Sequence, residues 1–112
     1  MAMNVTSTTP LVSPVQRLAF TTATLGSNAV VTAKTGKRIR VLGLVLISTL
    51  ANSVSFLSAS TAISGTFPLG ANSGFVLPFT EHGWFETAEN EALNVNLSVG
   101  TSTGMQILYQ VI

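Results

Sequence analysis

The feature that most constrains this fold is an alternation of apolar and polar residues with a period of two. It is clearest in Ala92–Val99, where Leu93, Val95 and Leu97 alternate with asparagine and serine. Successive side chains of a strand point to opposite faces, so this pattern predicts a half-buried strand. Similar segments recur along the chain, and no window has the spacing of a long helix. The predicted strands are Arg17–Thr24, Asn28–Ala33, Arg38–Leu50, Ser53–Ser58, Ala62–Phe67, Phe75–Phe79, Gly83–Thr87, Ala92–Val99 and Met105–Ile112.

Many short strands separated by turn residues are typical of an all-β fold, either an antiparallel β-sandwich or a jelly roll of about eight short strands. The length of 112 residues fits one domain. Residues 1–14 differ in composition: they are rich in Ser and Thr, uncharged, and punctuated by Pro10 and Pro14. Proline favours extended backbone, so we expect an extended N-terminal arm at 1–14 and a β-sandwich domain at 15–112.

The arm has two interpretations. It is either a disordered tail, which is common at chain termini, or a strap that lies on a neighbouring subunit. In the second case its apolar anchors are Val5, Leu11 and Val12.

The composition indicates a surface that is covered by other proteins. Hydrophobic residues make up 46% of the chain and charged residues 8%, whereas soluble domains average about 25% charged residues. Such a chain is expected to hide much of its exterior in an oligomer or a larger assembly. The most apolar run, 41–51, is shorter than the ~20 residues of a membrane-spanning helix. We therefore expect no membrane partner, and the absence of a signal-peptide pattern in the first ten residues predicts synthesis in the cytoplasm.

Arg38–Leu50 is apolar on both of its predicted faces. Strict alternation places Ile39, Val41, Val45 and Ile47 on one face and leucines on the other. One face packs on the core, and the other is covered either by a second layer of the same chain or by a neighbouring subunit. Met105–Ile112 raises the same two alternatives. This pattern predicts a homotrimer.

Catalysis is not expected from this sequence. There is no Cys and no Asp, so thiol nucleophiles and zinc-thiolate sites are excluded. The only acid–base material is one histidine and four glutamates, which are predicted loop charges, and a single His without spaced partners is a weak metal signal. We expect no enzyme activity, no metal and no cofactor. The histidine and the four glutamates are His82, Glu81, Glu86, Glu89 and Glu91.

Four of the five cations cluster around the turn at Gly36: Lys34, Lys37, Arg38 and Arg40. They are either a solvated hairpin end that protects a sheet edge or a salt-sensitive contact with an acidic protein partner. Nucleic-acid binding would require more basic charge and interleaved aromatic residues, so no nucleic-acid partner is expected.

Four segments resemble small structural proteins of tailed bacteriophages, and within that group capsid decoration, or cement, proteins. The segments are Thr35–Leu42 (TGKRIRVL), Gly83–Thr87 (GWFET), Glu91–Ser98 (EALNVNLS) and Leu108–Val111 (LYQV). The resemblance covers roughly the last two thirds of the chain and rests on sheet-forming sequence. It implies a β-sandwich or jelly-roll protein, often trimeric, on the capsid surface of a virion, where it binds and stabilises the lattice of the major capsid protein.

The alternative is a tail-fibre or head-fibre adhesin module that binds a host surface glycan. Sugar sites place an aromatic platform beside polar groups, and His82, Trp84, Glu86 and Asn90 offer that combination. A tryptophan within an apolar strand is more often a core residue, so we expect Trp84 to be buried and to stabilise the fold.

Overall fold

A computed structural model describes residues 13–112, which form ten β-strands and no helix. All strand pairs are antiparallel, and the strands form two five-stranded sheets that pack against each other. The predicted all-β sandwich is therefore confirmed. None of the described residues lie in a helix long and apolar enough to cross a membrane. The strands are β1 (Gln16–Thr22), β2 (Gly26–Val31), β3 (Ile39–Ser48), β4 (Asn52–Ser58), β5 (Thr61–Ala62), β6 (Phe67–Leu69), β7 (Ser73–Leu77), β8 (Phe85–Glu86), β9 (Leu93–Leu97) and β10 (Thr103–Val111).

Each of the two sheets combines strands from both halves of the chain. The first sheet has the order β1-β10-β3-β7, and β8 also pairs with β3. The second sheet has the order β2-β9-β4-β5, and β6 also pairs with β4. Most strand pairs therefore join strands that are distant in sequence, and only β5 and β6 pair with a strand close to them in the chain.

The core lies between the two inner faces. Leu93, Val95 and Leu97 of β9 are almost completely buried, as are Val54 and Phe56 of β4, which is the outcome that period-two alternation predicts. Opposite them the first sheet contributes buried residues of β3 and β10. Two aromatic pairs join the sheets across this core, Phe56–Phe85 with ring centroids 5.1 Å apart and Phe67–Phe75 at 4.5 Å.

A β-bulge in β3 overturns the predicted facing of that strand. In the pairing with β10, Leu108 lies opposite Gly43 and Tyr109 lies opposite Val41, so Leu42 is an extra residue. One inserted residue reverses the alternation that follows it. Ile39 and Val41 therefore share the core with Leu44 and Leu46, whereas Val45 and Ile47 face outward. The expectation that Ile39, Val41, Val45 and Ile47 share one face was wrong.

The segment predicted as one strand at Ala62–Phe67 is two short strands, β5 and β6, on the same edge of β4. Between them the chain leaves the edge at Ser64. The Ser64 hydroxyl accepts a hydrogen bond from the Phe56 amide at 2.8 Å, and the Ile63 amide donates to the Phe56 carbonyl at 2.9 Å. A side chain thus replaces backbone pairing at this point, which interrupts the strand.

Candidate interaction surfaces

The outer face of the first sheet, called the apolar face below, carries large uncovered hydrophobic side chains. Ile47 is 55% exposed, Val76 is 65% exposed, and Phe79, which follows β7, is 58% exposed. Its charged side chains are Arg17 of β1, opposite Leu108 of β10, and the Arg40–Glu86 pair at the end of the face where β8 joins β3. The outward positions, read from the strand register, are Arg17, Ala19 and Thr21 on β1, Gly104, Gln106, Leu108 and Gln110 on β10, Arg40, Gly43, Val45 and Ile47 on β3, Gly74 and Val76 on β7, and Glu86 on β8.

A shallow groove crosses the apolar face at Gly43. It lies between Leu108 on one side and Val76 and Phe79 on the other. A Cβ at Gly43 would lie 3.3 Å from the Leu77 carbonyl oxygen and 3.4 Å from the Phe79 Cα. This is tighter than normal packing, so glycine allows the chain after β7 to cross close to β3 and form the wall of the groove.

The outer face of the second sheet, called the polar face below, has small polar side chains at the corresponding positions. Ser55 of β4 pairs across the sheet with Asn96 of β9, and the one large apolar side chain on these two outward rows is Leu57, which pairs with Asn94. The Asn94 amide nitrogen donates to the Ala59 carbonyl at 2.7 Å. Outward polar side chains of this kind normally bond to water, although the Asn94 side-chain oxygen is buried here without a hydrogen-bond partner.

The predicted basic cluster lies at one end of the sandwich. Lys34 and Lys37 close a turn in which the Lys37 amide donates to the Lys34 carbonyl at 3.0 Å and Gly36 has a φ of 72°. Asn90 holds this turn: its side-chain oxygen accepts from the Gly36 amide, and its own amide donates to the Lys37 carbonyl at 3.0 Å. The structure therefore brings the basic turn against the glutamate-bearing loop 87–92.

The cations at this end are interleaved with acids. Arg40 pairs with Glu86 at 3.5 Å, with both side chains about one third exposed, and Glu89 lines the same shallow depression as Arg38 and Arg40. A partly exposed ion pair contributes about 1 kcal/mol or less to stability. The cluster is a mixed-charge end of the domain and not a uniformly basic surface.

The predicted anchors of the arm, Val5, Leu11 and Val12, lie outside the described residues. The first described residue, Ser13, accepts a hydrogen bond on its carbonyl from the Gln110 side chain at 2.7 Å. Gln110 belongs to β10, so the chain enters the domain beside the end of the first sheet.

Trp84 is 45% exposed, so the expectation of a buried core residue was wrong. Its indole Nε1 donates to the Pro78 carbonyl at 2.8 Å, which fixes the ring against the outside of the loop 78–84. The inward position belongs to Phe85, which pairs with Val41 and stacks on Phe56. The sequence did carry a signal: by alternation Trp84 shares a face with Glu86, and a charged residue marks the outward side of a strand.

The remaining acid–base side chains do not converge. His82 and Glu81 are exposed in the turn before Gly83. Within residues 13–112 no three or more His, Cys, Asp or Glu side chains are placed to hold a metal ion.

Val76 and Phe79 were not singled out from the sequence, although both belong to the apolar face. Alternation within Phe75–Phe79 places Val76 opposite to the inward residues Phe75 and Leu77. That signal predicts an outward valine, but it does not reveal that Val45 lies beside it, since their contact depends on the bulge in β3.

Comparison with known proteins gives no match: no family model, no curated protein and no solved structure is similar to this chain.

Proposed function

We propose that this protein is a non-catalytic structural component of a phage particle that binds the outside of the capsid and stabilises the lattice of the major capsid protein. The observation that carries the proposal is the apolar face. A monomeric soluble domain rarely leaves several neighbouring large hydrophobic side chains uncovered, and such patches mark protein contacts. The resemblance of four segments to decoration proteins suggests that the partner is the major capsid protein.

The mechanism requires only binding. A protein that binds the assembled lattice and not the separated subunits stabilises the lattice by linkage. Because many copies bind the same symmetric shell, weak contacts add up to a strong total effect on the lattice. A homotrimer also binds more tightly than one subunit, since its subunits contact the lattice at the same time. The sheets of this sandwich suit that task because they offer broad surfaces that can bind without a conformational change.

The mixed-charge end has a secondary role in this proposal. Lys34, Lys37, Arg38 and Arg40 contact acidic groups of the capsid at the rim of the interface. Their neighbouring glutamates reduce the net charge, so this contribution is small and disappears as salt screens charges beyond about 8 Å.

The position of the protein on the particle tests the proposal. Gold-labelled antibody against the protein, applied to particles made by the genome that encodes it, is expected to decorate the head in many copies. Label confined to the tail tip or to fibres contradicts capsid decoration, and particles without label contradict any virion role.

The exposed Trp84 favours a second candidate, a fibre module that binds a host glycan. A half-exposed tryptophan ring, fixed by its bond to Pro78 and preceded in the same loop by the polar side chains of Glu81 and His82, resembles the aromatic platform of a sugar site. A glycan array with the parent and with Trp84→Ala tests it: saturable binding to one glycan class that the variant loses supports this candidate, and an array without binding removes it.

A further inference from the structure

We infer that the groove at Gly43 binds one extended segment of the capsid protein, which inserts a large apolar side chain into the groove and places a carboxylate at Arg17. The inference rests on the proposed function, because it takes the capsid protein as the partner and names the chemistry of the segment that the apolar face recognises. It is carried by the shape of the groove, by its size and by the one charge in its lining.

The groove has a floor of backbone and walls of apolar side chains. Gly43 forms the floor, and Leu108 lies directly opposite it on β10. On the other side the chain after β7 passes so close that a Cβ at Gly43 would lie 3.4 Å from the Phe79 Cα. The glycine therefore leaves a hole between two apolar walls, which a side chain of a partner can fill.

The size of the groove selects a short segment. Its volume of about 350 Å³ is near the lower end of the roughly 300 to 1,000 Å³ of ligand sites, so it admits one or two large side chains and not a folded surface. Val76 is 65% exposed and Phe79 is 58% exposed, so an inserted side chain buries apolar surface on both partners. Such burial is favourable in proportion to the area that leaves water.

The charge in the lining selects an acid. Arg17 is the one ionic side chain that lines the groove, and Gln106 is the one other polar side chain. Within residues 13–112 the only ion pair closer than 4.0 Å is Arg40–Glu86, so Arg40 already has its acid whereas no described acid pairs with Arg17. A carboxylate of the partner matches the fork of N–H donors on the guanidinium.

The positions of Gly43 and Arg17 set the spacing in the segment. Both residues lie opposite Leu108, one on each side of it, so they are two strands or about 10 Å apart. In an extended segment alternate side chains face the same way and are about 7 Å apart, and the long side chain of Arg17 covers the remaining distance. The acid is therefore expected two residues from the apolar side chain, in a segment that crosses the strands.

The test titrates the full-length protein onto heads assembled from the major capsid protein of the same genome, at about 0.1 M and about 0.5 M salt. Arg17→Gln should weaken binding at least about 10-fold at both salt concentrations, because an ion pair inside an apolar contact is poorly screened. Arg17→Lys keeps the charge and should recover part of the affinity. The matched control is Lys34→Gln, which removes the same charge from the mixed-charge end and should weaken binding only at the lower salt.

The apolar wall is tested by Phe79→Ala, which should also weaken binding at least about 10-fold, since buried aromatic side chains dominate contacts of this kind. The matched control is Leu25→Ala, because Leu25 is 63% exposed and lies outside the groove, between β1 and β2. It should bind heads like the parent. Thermal melts should show intact folds, and Leu108→Ala tests the opposite wall if Phe79→Ala melts early.

The failure of the inference is distinguishable from that of the proposed function. Heads that do not bind the parent contradict both. If the parent binds and either Arg17→Gln or the wall variant binds equally well, or if Arg17→Lys loses as much affinity as Arg17→Gln, the inference is overturned and capsid binding stands.

Two other occupants of the groove also overturn it. Stronger head binding by a chain that lacks residues 1–12 would assign the groove to the N-terminal residues of the same chain. Self-association of the parent without heads, measured by sedimentation and lost in both Arg17→Gln and Phe79→Ala, would assign it to a second copy.

Discussion

The two outer faces of the sandwich differ in chemistry although the sheets beneath them are built alike. At the centre of the first sheet Val45 and Val76 lie side by side, whereas at the centre of the second Ser55 pairs with Asn96. Inside, both sheets contribute buried aliphatic and aromatic residues to one core. Folding therefore needs only the inner faces, and the outer faces are free to differ in chemistry.

The largest expected effect tests whether the inner faces are equivalent. Phe56→Ala in the second sheet should lower the free energy of unfolding by about 3 to 5 kcal/mol, and Leu46→Ala in the first by about 2 to 5 kcal/mol, because both side chains are fully buried. Denaturant unfolding of the two variants measures this. If one of them unfolded like the parent, the core would belong mainly to the other sheet.

The next effect separates polar groups that hold the fold from those that only face water. The Asn52 side-chain oxygen accepts bonds from the amides of Ser53, Ser98 and Val99 at 2.9 to 3.0 Å, and its nitrogen donates to the Val99 carbonyl. Asn52→Ala should lower the free energy of unfolding by about 1 to 3 kcal/mol, since three part-buried backbone amides lose a partner.

Asn96→Ala on the polar face is the control for Asn52. It should change the free energy of unfolding by less than about 0.5 kcal/mol, as substitutions on a solvated surface do. If Asn52→Ala and Asn96→Ala lowered the free energy of unfolding equally, the polar face would contribute to stability as the interior does.

A smaller effect is expected at Trp84. Because its ring is nearly half exposed and makes one hydrogen bond, Trp84→Ala should lower stability by about 1 to 2 kcal/mol, well below the loss for Phe56→Ala. Thermal melts of the two variants, run side by side, give the comparison. A loss as large as that of Phe56→Ala would restore the view of Trp84 as a core residue.

The smallest effect on stability comes from making the polar face resemble the apolar one. Ser55→Val should change the free energy of unfolding by less than about 0.5 kcal/mol, because the position is on the outer side of the sheet. Its expected consequence is a higher apparent mass at high concentration, seen by light scattering, as a new hydrophobic patch forms. A variant that stayed at the parent's mass would show that one added valine does not make a contact surface.

The amino-acid sequence by itself determined the all-β class, the approximate place of the strands and most of the core. The alternation of Leu93, Val95 and Leu97 is a local pattern. A strand with one polar face and one apolar face can bury only the apolar one, so the pattern fixes which side chains point inward. The shortage of charge likewise predicted a covered surface without indicating which surface that is.

Tertiary structure decided the facing of β3 and the contact that holds Phe85 inward, whereas alternation with Glu86 already indicated an outward Trp84. The extra residue at Leu42 is visible only in the pairing with β10, and it alone moves Val45 and Ile47 from the core to the surface. Trp84 lies outside because Phe85 takes the inward place on Phe56, a residue nearly thirty positions earlier in the chain. Both outcomes depend on partners distant in sequence, and a local pattern holds no information about which distant strand will set its register.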